Sequence, residues 1–121
     1  MGLGSRTKGA RGELEAAEAL SRIGLDCART AQRTGKTGLP DLDCEGLDLH
    51  IEVKRTERLN PYAFMDQAVS DSTRTRRCPL VVMRSSHKPW LILLRLDDVP
   101  RFAEEVRRAA SVQPTPSAET V

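Results

Sequence analysis

Asp41, Glu52 and Lys54 are the residues around which chemistry can be organised. Pro40 to Glu45 and Asp48 to Lys54 both alternate, with Leu42 and Cys44 on one face of the first segment and Leu49, Ile51 and Val53 on one face of the second. Alternation of this kind predicts two half-buried strands. Gly46-Leu47 suits a tight hairpin turn with Gly at its first central position. That turn sets Leu42 against Ile51, Cys44 against Leu49 and Asp41 against Glu52, the last pair with Cβ atoms about 4.5 to 5.5 Å apart. Apolar matching and acidic convergence thus select the same register. Two opposed carboxylates repel unless protons or a cation intervene. A hard divalent ion with oxygen ligands answers this, Mg²⁺ first and Mn²⁺ as its substitute. Lys54 follows Glu52 on the same face, roughly 6 to 7 Å along the strand, where its ammonium can offset charge developing on a phosphate.

The flanking elements must hold these groups in place. Residues 8–23 are rich in helix formers, and Gly24 stands as a helix stop. Ala10, Leu14, Ala17 and Leu20 are expected to form the buried stripe, with Glu13 at its edge and Glu15 pointing nearly the opposite way. A short strand is expected near Leu25 to Thr30, and residues 32–39 read as a polar loop. Asn60 and Pro61 open a second helix to about Thr73, packing through Tyr62, Met65, Ala68 and Val69. Leu80 to Arg84 and Trp90 to Leu96 are two more strands. Trp90 to Leu94 is apolar on both faces, as in a covered central strand or a subunit contact. A last helix opens at Asp97 or Asp98 and runs to about Ala110.

The chain has 121 residues, enough for one core, so residues 1–110 are expected to be a single domain and 111–121 a loose tail. No window suits a membrane span or a secretory signal, so a cytoplasmic location is expected. Cys27, Cys44 and Cys78 fit no zinc or disulfide framework and read as reduced, mostly buried thiols. Net charge is only +2, but it is unevenly spread. Five acids and no Lys or Arg stand between positions 41 and 52, and five bases and no acid between 74 and 88. Such a pattern suits a metal site that acts on a polyanion.

Lys8-Gly9, then Glu13, then Pro40-Asp41, then Glu52-Val53-Lys54, then Gln67 resembles the PD-(D/E)xK nucleases, and among them the archaeal-type Holliday junction resolvases and their phage-encoded relatives. The likeness covers roughly residues 8–96. It implies an α/β (α+β) fold with a restriction-endonuclease-like αβββαβ core, a mixed central sheet flanked by helices. It further implies a metal set of Asp41, Glu52, Val53 and Glu13, with Lys54 catalytic and Gln67 carried over by position. Thr34 or Thr37 would supply the small hydroxyl that such resolvases place before the Asp. The implied activity is Mg²⁺-dependent cleavage of DNA, most of all of four-way junctions, by a homodimer that makes two symmetric cuts. The alternatives are a repair or recombination nuclease acting on flaps, nicks or other branched DNA, and an inactive DNA-binding module on the same fold. An intact acid-acid-lysine set speaks against the last.

DNA contacts are expected from Arg11, Arg33, Thr34, Lys36, Thr37, Arg74, Arg76 and Arg77. Gly35-Lys36-Thr37 superficially resembles the end of a phosphate-binding loop, but Thr30 stands where the first Gly is required, so no nucleotide cofactor is expected. His50 is read as a solvated strand histidine rather than a base, His87 as an inert turn residue, and Trp90 as packing rather than a base-stacking platform.

Overall fold

The structure, a computed structural model, describes residues 2–30 and 38–112. Helix α1 spans Gly2–Ser21, strand β1 Cys27–Arg29, β2 Leu42–Cys44, β3 Leu49–Arg55, helix α2 Pro61–Ser72, strand β4 Cys78–Arg84 and β5 Leu91–Leu93; a single 3₁₀ turn, Leu96–Asp98, leads into helix α3, Val99–Val112. The five strands form one sheet in the order β1-β2-β3-β4-β5. Only β3 and β4 run parallel, joined by α2 as the crossover, and the other neighbours are antiparallel. The mixed sheet flanked by helices agrees with the expected α+β class.

Two apolar layers enclose the sheet. On one face Leu49, Ile51, Leu80 and Val82 pack with Ala16 and Leu20 of α1 and Ala109 of α3. On the other, Val81 and Met83 pack with Met65 and Ala68 of α2. Both faces of β3 and β4 are therefore covered, the usual state of a parallel pair. Helix α1 ends as its sequence dictates. Gly24 takes φ +94, Gly24 N–H reaches Ser21 C=O at 3.1 Å, and Leu25 N–H reaches Leu20 C=O at 3.0 Å. These two bonds close a Schellman cap. Helix α2 opens as expected, the Asn60 side chain accepting from Ala63 N–H at 3.3 Å.

Several expectations are corrected. Leu14 is 59% exposed, because the buried side of α1 runs through Gly12, Ala16 and Leu20. Gly12 lies so near β3 that an added Cβ would stand 3.3 Å from the Arg55 Cβ. Tyr62 is 85% exposed, and Phe64 packs in its stead. Leu42 does pair with Ile51, but the turn centres on Glu45-Gly46: Leu47 N–H bonds Cys44 C=O at 3.0 Å and Gly46 takes φ +81. Gly46 is thus the second central residue, and Leu47 becomes core rather than turn. β5 is an edge strand, with Leu91 and Ile92 exposed, so the covered central alternative falls. Cys27 and Cys44 are direct partners across β1 and β2 and form a disulfide. Only Cys78 is a free, buried thiol, which corrects the reading of three reduced cysteines. Strand pairing, invisible in linear spacing, brings the two together.

Candidate active site

Glu52 sits in the middle of β3, facing α2, and is only 2% exposed. Asp41 enters from the segment just before β2, where the ladder departs from simple register. Its N–H reaches Ile51 C=O at 2.9 Å, and its Oδ2 accepts the Val53 N–H at 2.8 Å. The side chain thereby replaces a main-chain rung and is held against β3. Thr30 supports the same corner: its hydroxyl donates to Pro40 C=O, and its N–H reaches Asp41 C=O at 3.2 Å.

These placements force the carboxylates together. The Asp41 carboxyl is pushed up from the ordinary value to about 7, chiefly by burial, against the opposing pull of the Val53 N–H. The nearby charges of Glu52 and Glu13 and a hydrogen bond with Glu52 add to the rise. Glu13 reaches this group from α1. Its side chain is 16% exposed and pairs with Arg29 at 2.7 Å, and it lines a cleft with Gly9, Gly12, Val53, Lys54, Arg55 and Thr56. The absence of a side chain at Gly12 is what lets this part of α1 approach the end of β3.

Lys54 follows Glu52 on the same face of β3. Its Nζ donates to Gln67 Oε1 of α2 at 2.9 Å and lies 5.6 Å from the centre of the Phe64 ring. Asp41, Glu52, Glu13, Lys54 and Gln67, five side chains from four parts of the chain, thus converge on one end of the β2–β3 pair. Val53 contributes its N–H to Asp41.

Other candidates are placed elsewhere. The acidic run does not form one pocket. Asp43 pairs with Arg77 at 2.8 Å, Asp48 lies 4.0 Å from Arg108, and Glu45 is exposed. Arg74 and Arg76 are exposed beyond α2. The β3–β4 register sets Cys78 beside Leu49 and Met83 beside Lys54, so the Arg74–Arg77 segment stands at the far strand end, roughly 15 to 20 Å from Lys54. Arg11 is exposed on α1, while Arg33, Thr34, Lys36 and Thr37 lie outside the described residues. His87 is exposed with φ +63. Trp90 packs against the core, 5.4 Å beneath the Arg84 guanidinium.

Three residues carry more than the sequence reading gave them. His50 is fully buried, and its Nε2 lies 2.8 Å from Glu52 Oε2, so it is not a solvated histidine. The alternation of β3 gives no sign of this, because it is α2, laid over that face, that buries the ring. Asp71 of α2 joins His50 and Glu52, with one potential ligand atom from each within 4.8 Å of the others. Glu15, pointing away from the site, gains partners the spacing did not reveal: it pairs with Arg55 at 3.2 Å and Arg84 at 4.0 Å.

A mixed sheet with an acidic pair and a lysine at the end of its hairpin defines the PD-(D/E)xK nuclease class. Over residues 4–116 the chain matches the family described as "Phage putative PDDEXK endonuclease", and it belongs to that family. Among solved structures it resembles the Archaeoglobus fulgidus protein Hjc, a Holliday junction resolvase from an archaeal hyperthermophile, with a TM-score of 0.55 and 21% identity over 69% of this chain and 73% of that one. That likeness supports the fold. Comparison with curated proteins gives no match.

Proposed function

We propose that this nuclease is a metal-dependent endodeoxyribonuclease that cuts branched DNA, with the four-way junction as its preferred substrate. The observation that carries the reading is the convergence of Asp41, Glu52 and Glu13 beside Lys54. A carboxyl pushed up to about 7 by burial and by two other acids needs either a proton or a cation. Oxygen donors of this kind fit Mg²⁺, which leaves room for water and phosphate among its ligands. Asp41 and Glu52 would hold the ion, with Glu13 as an accessory ligand or water positioner. Bound there, the metal supplies an activated water and stabilises charge on phosphorus.

The chain's own groups do the rest. The Val53 N–H and the β2–β3 pairing fix the Asp41 carboxylate before any substrate arrives. The Gln67 amide and the Phe64 ring hold the Lys54 ammonium over the cleft, where it can bind a phosphate oxygen and offset charge that grows during cleavage. Arg55, at the cleft wall, adds a phosphate contact. Arg11, Arg74 and Arg76 are exposed, and together with Arg33, Thr34, Lys36 and Thr37 they would contact the backbone without reading sequence.

The junction preference is supported by the fold that the chain shares with a resolvase. Paired cuts on a two-fold substrate need two active sites, hence a homodimer. Edge strand β5, with Leu91 49% and Ile92 39% exposed, is the surface we assign to the second copy. Residues 1–110 form the one nuclease domain. Labelled four-way junction, flap, linear duplex and single strand, each incubated with the protein with and without Mg²⁺, test the reading. Symmetric, Mg²⁺-dependent nicks in the junction are expected. Faster cutting of flaps or linear duplex would replace the resolvase with a general repair nuclease, and no cutting of any DNA would overturn the enzyme.

A further inference from the structure

We propose that His50, Glu52 and Asp71 form a second cation site, selective for Mn²⁺ or Zn²⁺ over Mg²⁺, that shares Glu52 with the Asp41 site. It touches the nuclease reading only through that shared carboxylate. The three residues come from two elements whose spacing matches. On β3, His50 and Glu52 are separated by two residues, about 6.6 Å. On α2, Gln67 and Asp71 are one turn apart, about 6 Å. With Gln67 against Lys54, the same helix face therefore brings Asp71 down to the level of His50 and Glu52.

The ligand geometry is close to closed. Metal-bound nitrogen and oxygen atoms lie about 2.0 to 2.2 Å from the ion, so neighbouring ligands stand roughly 3 to 3.5 Å apart. His50 Nε2 and Glu52 Oε2 are already at 2.8 Å, and all three donors lie within 4.8 Å of one another. Asp71, half-buried at the open side, needs only a small inward turn. The second, independent observation is His50 itself. Its ring is fully buried, yet its Nδ1 finds no hydrogen-bond partner among the described residues. Its Nε2 is turned onto the equally buried Glu52 carboxylate, so an imidazole donor and a carboxylate donor face each other away from solvent, and a divalent ion held there would offset the cost of burying that charge. An imidazole with two carboxylates also sorts the metals. Nitrogen donors favour Mn²⁺ and Zn²⁺ over Mg²⁺, which prefers an all-oxygen shell.

Mn²⁺ titration of the full chain, followed by calorimetry and pulsed electron paramagnetic resonance, tests this. Two Mn²⁺ per chain are expected, one of them showing ¹⁴N modulation from a directly bound imidazole. The chain has two histidines, and His87→Ala is expected to leave the modulation unchanged. His50→Gln should abolish it. Asp71→Asn, a near-isosteric change at a half-buried position, should weaken one binding step tenfold or more and decides the matter if His50→Gln does not fold. Absence of ¹⁴N modulation in the parent chain would overturn the proposal, as would an Asp71→Asn variant that binds both ions as the parent does. Asp41→Asn separates the two readings, because it should abolish cleavage and keep the ¹⁴N signal. A chain that shows the signal but cuts no DNA would sink the nuclease reading and leave this site standing.

Discussion

The two faces of β3 are built for opposite purposes. Toward α1 and α3 it presents Leu49, Ile51 and Val53, which join Leu80 and Val82 in an apolar layer. Toward α2 it presents His50, Glu52 and Lys54, of which the first two are as buried as the leucines opposite. Burying each apolar side chain stabilises the fold by about 1.5 to 3 kcal/mol, whereas burying a carboxylate costs free energy unless something neutralises it. One strand therefore carries the molecule's stability on one side and a built-in deficit on the other. The parallel β4 and the helix above it keep that deficit dry enough to be chemically useful.

The largest effects are expected at the carboxylates. Asp41→Asn or Glu52→Gln should lower Mg²⁺-dependent cleavage by about 10³ or more, at least roughly 4 kcal/mol of barrier, while junction binding stays intact or tightens. The same variants should melt higher than the parent without metal, since they remove like charge from a buried cluster. Leu49→Ala on the other face should do the reverse. A loss of about 2 to 5 kcal/mol of stability is expected, measured by urea denaturation, with cleavage per folded molecule little changed.

Acidity sharpens the same contrast. Asp41 titrates near 7 in the folded chain against 3.8 as its ordinary value, so between about pH 4 and 7 the folded state holds a proton that the unfolded state has lost. Stability of the metal-free chain should fall as pH rises through that window and level off above it. Asp41→Asn should flatten the profile in a series of melting curves. Cleavage at limiting Mg²⁺ should fall as pH drops below 7, because the ion must displace that proton, and added Mg²⁺ should shift the profile toward acid.

Smaller effects distinguish the two sides of α1. Glu13→Ala should slow cleavage about tenfold, roughly 1.4 kcal/mol. Glu15→Ala, which frees Arg55 and Arg84, should cost up to about 1 kcal/mol of stability and leave cleavage within twofold. Equal kinetic losses would show that the helix serves only as scaffold. Gln67→Ala should have a mild effect, about threefold in single-turnover rate, since the Lys54 ammonium keeps its place over Phe64.

Much of this arrangement was legible in the chain. Alternation gave both hairpin strands and the Leu42–Ile51 pairing, and Asn60-Pro61 and Gly24 marked helix boundaries that the structure keeps. Legibility failed wherever the neighbour across the sheet decided the outcome. His50 follows the polar phase of its strand, and only the helix laid over that face buries it. Leu14 and Tyr62 carry the right character for a core but fall on the wrong side of their helices, because Gly12 and Phe64 set the contact. Glu15 found partners in Arg55 and Arg84, which lie 40 and 69 residues away along the chain. Cys27 and Cys44 meet because β1 and β2 pair in one register.

The bond from the Val53 amide to Asp41 Oδ2 gives the molecule an internal gauge. A main-chain N–H in a covered strand ordinarily reports only whether the sheet is intact. Here its acceptor is the carboxylate whose proton and ligand state set the chemistry, so the amide's nuclear resonance should move whenever Asp41 gains a proton, loses one or takes up an ion. Titrating that single resonance would follow the site's occupancy without substrate, turnover or any label beyond ¹⁵N. The backbone of β3 thus keeps a running record of the state of its own active centre.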